Sequence, residues 1–344
     1  MKLKIDKKIL RRLLMLFFLF IVFVFLYAVR NILFPFVLAI VLAYILNPLV
    51  EKLEKHNIKR LYGITIVYIV VFGVLFLACF YGFPVILKQL TAFVEKIPLY
   101  TNEIQNRLQN FYHLYQRFTI PYSLRESIDH NILWFQNLLI TSLSNLVSSI
   151  FSLFSEIFSF IVAPILTFYL LKDKEEICRL IVQNLPLNKR SEILSIWSEI
   201  DLALLKFIQG NLLVALIVGI ATSIGLTIVG MDFPLLFGII SGITNIIPYF
   251  GPIIGAIPAV SLALLKSQSL ALYVILVMLI VQQLESNFIS PKILGNSIGV
   301  HPLLVIFVLL AGGQLWGIAG MLVAVPLTAI LKIIIRYLFL KLIV

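Results

Sequence analysis

The chain has 344 residues, 61% of them hydrophobic and 12% charged, with a mean hydropathy of +1.07, whereas soluble domains run at about 45–50% apolar and about 25% charged. This composition excludes a soluble enzyme or binding module and requires an integral membrane protein. The 27 Lys+Arg against 16 Asp+Glu, a formal net charge of +11, do not point to nucleic acid, because the basic residues cluster at the ends of apolar runs and there act as topology signals toward anionic headgroups.

Crossing a hydrocarbon core of about 30 Å takes roughly 20 helical residues, and uncharged runs of that order recur from one end of the chain to the other. They are too long and too evenly apolar for the alternating strands of a barrel. The expected fold class is therefore all-α, a polytopic helical membrane protein. Lys2, Lys4, Lys7, Lys8, Arg11 and Arg12 precede the first apolar run. No small-residue cleavage site follows, so the run reads as a retained first helix with its amino terminus in the cytoplasm. Spans near 10 to 29 and 31 to 50 meet at Arg30-Asn31, and four Lys/Arg between Glu51 and Arg60 mark a second cytoplasmic face. A third span from Leu61 to about Gly82 completes an N-terminal group over residues 1–83.

Between 84 and 145 charged residues recur among apolar ones, five Lys/Arg against four Asp/Glu, which gives almost no topological bias. Apolar residues there fall at three- and four-residue spacing, so the segment reads as amphipathic external helices. Its plain role is an arm packed on the membrane surface or on another subunit, and its sharper one a gate. Residues 146–171 form a further span containing Glu156 and Pro164. Residues 172–206, with six basic and six acidic side chains, read as a cytoplasmic loop with an interfacial helix from Ser191 to Phe207.

Residues 207–344 carry the features expected of a transport core. After a span opened by Gln209-Gly210-Asn211, two apolar stretches, 233 to 247 and 251 to 265, are too short to span comfortably and are separated by Pro and Gly. Pro302 to Ala311 is likewise brief, with Gly312-Gly313 between it and a long run to Arg336. Paired, interrupted hydrophobic segments point to broken or re-entrant helices around a binding site. Proline inside hydrocarbon frees carbonyls that neighbouring helices, polar side chains or water must satisfy. The candidate path residues are thus Asn245, Pro248, Gly251, Pro252, Gly255 and Pro258 facing Gln282, Gln283, Glu285, Asn287 and Lys292. Glu285 is the only acid after Asp232. It reads either as a carboxyl that takes up and releases a proton at membrane depth or as a helix-end group paired with Lys292. Asn245 and Asn287 can bind a hydroxyl-rich solute or a cation, or cap helices. The Gly238/Gly242 and Gly251/Gly255 pairs read first as packing surfaces, and His301 is a minor proton-carrier candidate.

The run from Asn245 to Ala259, Gln283-Leu284-Glu285-Ser286-Asn287 with Pro291-Lys292-Ile293-Leu294-Gly295, and His301-Pro302-Leu303 resemble the autoinducer-2 exporter family. So do Ala311-Gly312-Gly313, Gly317-Ile318-Ala319-Gly320-Met321, Ala324-Val325-Pro326-Leu327, Leu46-Asn47-Pro48-Leu49 and Phe168-Tyr169-Leu170-Leu171-Lys172-Asp173. The match covers nearly the whole chain in order. It implies a bacterial inner-membrane permease of about eight spans that works as a homo-oligomer in the lipid bilayer. The family is similar across members proposed to export a furanosyl signal and members proposed to exchange sodium or lithium for protons. Export of a small polar solute such as autoinducer-2 is the first reading, and a sodium(lithium)/proton antiporter the alternative. A structural or scaffold membrane protein is the third, though it leaves the paired helix breaks without a purpose. No nucleotide-binding fingerprint is present, so transport is expected to be passive or ion-coupled. The four histidines are scattered, and no enzyme activity, cofactor, metal or nucleic-acid partner is expected.

Overall fold

The computed structural model describes residues 34–115, 157–295 and 299–343, with isolated helical positions at 17, 21 and 24 and between 130 and 148. The first span, the distal part of the segment read as external, and Glu156 lie outside the described residues. Ten helices are used below: α1 (Phe34–Glu54), α2 (Arg60–Tyr115), α3 (Ile157–Lys172), α4 (Lys174–Asn184), α5 (Arg190–Ile228), α6 (Pro234–Thr244), α7 (Phe250–Lys266), α8 (Gln268–Leu284), α9 (Ser290–Leu294) and α10 (Pro302–Ile343). No strand occurs among the described residues. Five segments are long and apolar enough to cross a membrane: Phe34–Glu54, Arg60–Lys96, Leu187–Ile228, Gln268–Leu294 and Pro302–Leu340. Three shorter apolar helices, Phe158–Lys172, Pro234–Thr244 and Phe250–Lys266, accompany them. The protein is an all-α, multi-pass membrane protein.

Two expected boundaries fall inside continuous helices. α2 passes through Pro84 without a break, and α5 joins the stretch read as interfacial to the span that follows it. At a rise of 1.5 Å per residue, the 56 residues of α2 extend about 84 Å, well beyond a hydrocarbon core.

α1, α2 and α3 form one layer. Leu46, Val50, Ile64, Val67 and Leu171 make its buried cluster, and the Thr167 hydroxyl donates to Ala39 O at 3.1 Å. Pro48 lies inside α1 and has no N–H to offer Tyr44 O one turn back. The Gln209 amide on α5 fills that place, donating to Tyr44 O at 3.1 Å. Arg60 ties the layer together at one end, pairing with Glu54 at 2.9 Å and donating to Leu171 O at 2.7 Å and Asn47 Oδ1 at 3.2 Å.

The back half holds two helical hairpins. In the first, α6 and α7 fold back on each other through residues 245–249. A Cβ on Gly251 would stand 2.1 Å from Thr244 O, and one on Gly255 would stand 3.0 Å from Ser241 Cα. α6 also meets α5 closely, where Gly238 and Gly242 oppose Gly219. The expected packing role of these glycines is what the structure displays. The second hairpin is α10, whose chain reverses at Trp316 (φ −143°, ψ 19°) and Gly317 (φ 60°, ψ −142°). Gly312 then lies against Gly320 and Ala324, and Gly313 against Met321. The interruption expected at Gly312-Gly313 is thus four residues later. Gly312 and Gly313 stay helical and serve as the contact surface, while Gly317 adopts the backbone conformation that only glycine reaches cheaply.

The turn of the first hairpin sits on the second. Ile247 and Phe250 share a cluster with Val305, Leu309 and Val325 from both limbs of α10. At the far end, Phe93 of α2 is fully buried, with its ring edge-on to Phe233 (5.6 Å) and Phe237 (6.1 Å). Gln89 Oε1 there accepts from Leu236 N at 3.1 Å. α2 is thereby anchored to the first hairpin at the end opposite Arg60.

Candidate functional site

α6 begins at Pro234, a first-turn position that proline suits because its missing N–H has no partner there anyway. α6 stops after 11 residues, just before Pro248, which disfavours a helical conformation at Ile247. Tyr249 takes φ 65°, a strained value for a non-glycine residue and one that persists only where its surroundings hold it. Asn245 caps the end of α6 and is 3% exposed.

α8 starts cleanly, with the Ser267 hydroxyl accepting from Leu270 N at 3.1 Å. It ends in a π-helical turn over Glu285–Ile289, a widened turn frequent at functional sites because it re-aims side chains and loosens the carbonyl ladder. The bulge directs Glu285 at the hairpin turn, where Asn245 Nδ2 donates to its Oε1 at 3.2 Å. Glu285 Oε2 is buried and makes no hydrogen bond of good geometry, although the Ser290 hydroxyl and the Gln282 amide lie near the carboxyl group.

From the third side comes Asn211 of α5, 7% exposed, whose Nδ2 donates to Ile246 O at 2.8 Å. The site therefore joins three elements: the turn of the first hairpin, the π-turn of α8 and the middle of α5. Ser241 Oγ, one turn before Asn245, is also buried without a hydrogen-bond partner. Unsatisfied buried polar atoms are costly in a low-dielectric interior, so this cluster has capacity for a polar guest or a proton that its own residues do not use.

Of the residues singled out in the sequence, the structure brings Asn245 and Glu285 together. Gly251 and Gly255 are buried in the hairpin, and Pro258 is buried in α7, while Pro248 and Pro252 stand half-buried at the turn. Gln282 also lies beside the Glu285 carboxyl group, and the remaining amides bond along their own helix. Asn287 Nδ2 donates to Gln283 Oε1 of its own helix at 3.0 Å, and the half-buried Gln282 donates to Ser286 Oγ at 3.3 Å. Gln282 lines an apolar cleft of about 420 Å³ between α7 and α8, and Gln283 faces outward with Leu279, Ile280 and Phe288. Lys292 makes no ion pair with Glu285 and instead lines a separate basic cavity. His301 is exposed, and its Nδ1 accepts from Leu303 N at 3.2 Å at the start of α10, which is a capping contact.

Sequence reasoning passed over Asn211 as a site residue, because an amide beside Gln209-Gly210 reads as the opening of a span. The available signal was its position near the start of the uncharged stretch of α5 after Lys206, where an amide in hydrocarbon needs a partner.

An all-α, multi-pass bundle with broken helices in its back half is an architecture that membrane transporters use. The chain belongs to the AI-2E transporter family, whose sequence model matches residues 13–339. It is 36% identical over 319 residues to "Putative transport protein YueF" of Bacillus subtilis (strain 168), covering 91% of this chain and 84% of that protein. It is 33% identical over 305 residues to "Putative transport protein YrrI" of the same organism, covering 89% and 86%. It is 29% identical over 310 residues to "AI-2 transport protein TqsA" of Escherichia coli (strain K12), covering 88% and 85%.

Proposed function

We propose that this protein is a permease of the bacterial inner membrane that exports a small polar solute, with the autoinducer-2 signal as the first candidate. Its path runs past Asn245, Glu285 and Asn211. The observation that carries the reading is the Asn245–Glu285 contact at the turn of a broken helix, with a buried carboxylate oxygen left over for a guest. A hydroxyl-rich solute matches amide donors and acceptors beside a carboxylate, and membership of a family with a relative named as an AI-2 transport protein supports that substrate class. A sodium(lithium)/proton antiporter is the second reading, favoured by Glu285 as the only acid after Asp232. In this reading the Arg60 and Arg336 end faces the cytoplasm, which its basic residues support, and the protein works as a homo-oligomer through α2.

Proteoliposomes separate the two readings. In an antiporter, Glu285→Gln abolishes cation-driven proton movement, because an amide cannot release the proton that exchange requires. In a solute exporter, Glu285→Gln keeps most of the efflux while Asn245→Leu lowers it by about tenfold, as expected for one lost hydrogen bond to a buried group. Unchanged transport in both variants would place the path elsewhere in the chain.

A further inference from the structure

A second polar feature of the bundle lies apart from the hairpin turn. A cavity of about 600 Å³ opens between α5, α9, Gly295, Gly299 and the second limb of α10. Lys206, Lys292, Lys332 and Arg336 line it. Glu199 is the one carboxylate among the described residues of its wall, and Arg336 Nη2 holds both oxygens of that carboxylate at 2.6 Å. Lys332 Nζ donates to Gly299 O at 2.5 Å. Lys206 and Lys292 form no ion pair with a described residue. Four basic side chains against one carboxylate among the described lining residues make the cavity basic.

Its walls are set by packing. Gly210 of α5 is pressed on α9, so that a Cβ there would lie 2.7 Å from Leu294 Cδ2. Gly295 and Gly299, at φ 53° and 54°, line the cavity with main chain only. Ammonium groups gathered on one cavity repel each other, and apolar walls such as Leu294 and Ala329 weaken the solvent screening that would relieve them. An anion removes that repulsion. Lysines supply adaptable point charges to phosphate oxygens, and basic pockets between membrane helices are suited to phosphate-bearing headgroups.

We propose that this cavity is an anion site that takes a phosphate group, carried either by a small soluble molecule or by an anionic lipid headgroup. It is distinct from the Asn245–Glu285 turn, since Lys292 lies seven residues beyond Glu285, about 10 Å along a helix. The proposal does not depend on which solute the protein carries.

The test uses the full chain in neutral detergent, titrated calorimetrically with inorganic phosphate at low ionic strength. In parallel, nanodiscs of equal parts phosphatidylcholine and phosphatidylglycerol are examined by native mass spectrometry for retained lipid. The variants are Lys206→Gln with Lys292→Gln and, as a control for charge alone, Lys55→Gln with Lys59→Gln at exposed positions outside the cavity. The expected result is saturable binding of phosphate, of phosphatidylglycerol or of both, weakened about tenfold or more by the cavity pair but not by the control pair. Binding is expected to return with Lys206→Arg and Lys292→Arg, which excludes misfolding as the cause. Phosphate binding without lipid retention assigns the site to a soluble anion, and lipid retention without phosphate binding assigns it to a headgroup. No binding of either, or equal losses in the cavity and control pairs, overturns the proposal.

Discussion

At the scale of single residues, two contacts decide whether the transport core can form. Gly251 lies so close to Thr244 O that a Cβ would sit 2.1 Å away, and main-chain oxygen cannot rotate out of reach as a side chain can. Gly251→Ala is expected to cost about 1–3 kcal/mol by overpacking and to lower the melting temperature in detergent, while Ala substitution of Gly73, which has open space around it, has no such effect. The second contact is Gln209 on Tyr44 O, which substitutes for the N–H that Pro48 lacks. Gln209→Leu strands a carbonyl at a cost of about 1–3 kcal/mol. Adding Pro48→Ala restores a main-chain donor at that place and should recover most of the loss. A double variant no more stable than Gln209→Leu alone would show that the pair is unrelated. Residue identities alone did not reveal this pair. The Leu46-Asn47-Pro48-Leu49 motif was visible, but a proline names only the carbonyl it frees, and the donor stands on another helix 161 positions away. The amide cluster from Gln282 to Asn287 had the opposite fault, since successive helical residues turn by about 100° and all of them cannot face one turn. With Glu285 directed at Asn245, its neighbours settle on their own helix.

Among the elements, the first hairpin was legible and the second was legible only in outline. Pro248 and Pro252, four residues apart with Gly251 between them, located the break between α6 and α7 to within a few residues, although Pro48, Pro84 and Pro258 lie inside helices. Glycine has two uses that look alike in sequence, close approach and unusual backbone angles, and only coordinates assign Gly312 to the first and Gly317 to the second. The distinction is testable. Gly317→Ala is expected to cost about 1–3 kcal/mol through backbone strain alone, since nothing lies within 4 Å of its would-be Cβ. Gly312→Ala acts by separating the limbs at Gly320. A second substitution, Ala324→Gly, removes the side chain 3.1 Å from the added Cβ and should relieve part of the Gly312→Ala loss and none of the Gly317→Ala loss. Partial rescue of both would contradict the two roles. The length of α2 was not legible, because charged residues after Pro84 suggested a separate external unit where the helix in fact continues. Deleting 99–118 removes its distal part and, if that part joins subunits, should reduce the oligomer in detergent-corrected mass measurements while leaving membrane insertion intact. A wild-type monomer over a wide concentration range would remove the oligomer reading.

For the whole molecule, charge and length together set how the bundle sits in a membrane. Lys174 pairs with Glu51 at 2.8 Å, and Arg336 with Glu199 at 2.6 Å. The Tyr44 hydroxyl donates to Asp201 at 2.8 Å, so the charged starts and ends of α1, α4, α5 and α10 lie at one end. α5 links that end to the other: Glu199 and Leu226 are 27 residues apart on it, about 40 Å, and Leu226 lies in the cluster that contains Phe93. Phe93 is in turn 33 residues from Arg60 along α2, about 50 Å, more than a hydrocarbon core of about 30 Å. Arg60 and Phe93 must then stand on opposite sides of the membrane, whichever way the protein is inserted. The orientation proposed above, from the excess of Lys/Arg at the Arg60 end, puts that end in the cytoplasm and the part of α2 beyond Phe93 outside. With Cys79 and Cys178 replaced by serine, a cysteine placed at Asn106 should react with a membrane-impermeant maleimide added to intact cells, and one placed at Lys55 should react only after the cells are opened. The reverse pattern would invert the orientation and leave the fold unchanged. Labelling of both positions from the same side would instead contradict the long α2 crossing, and with it the separation of the two ends on which the proposed path past Asn245 and Glu285 depends.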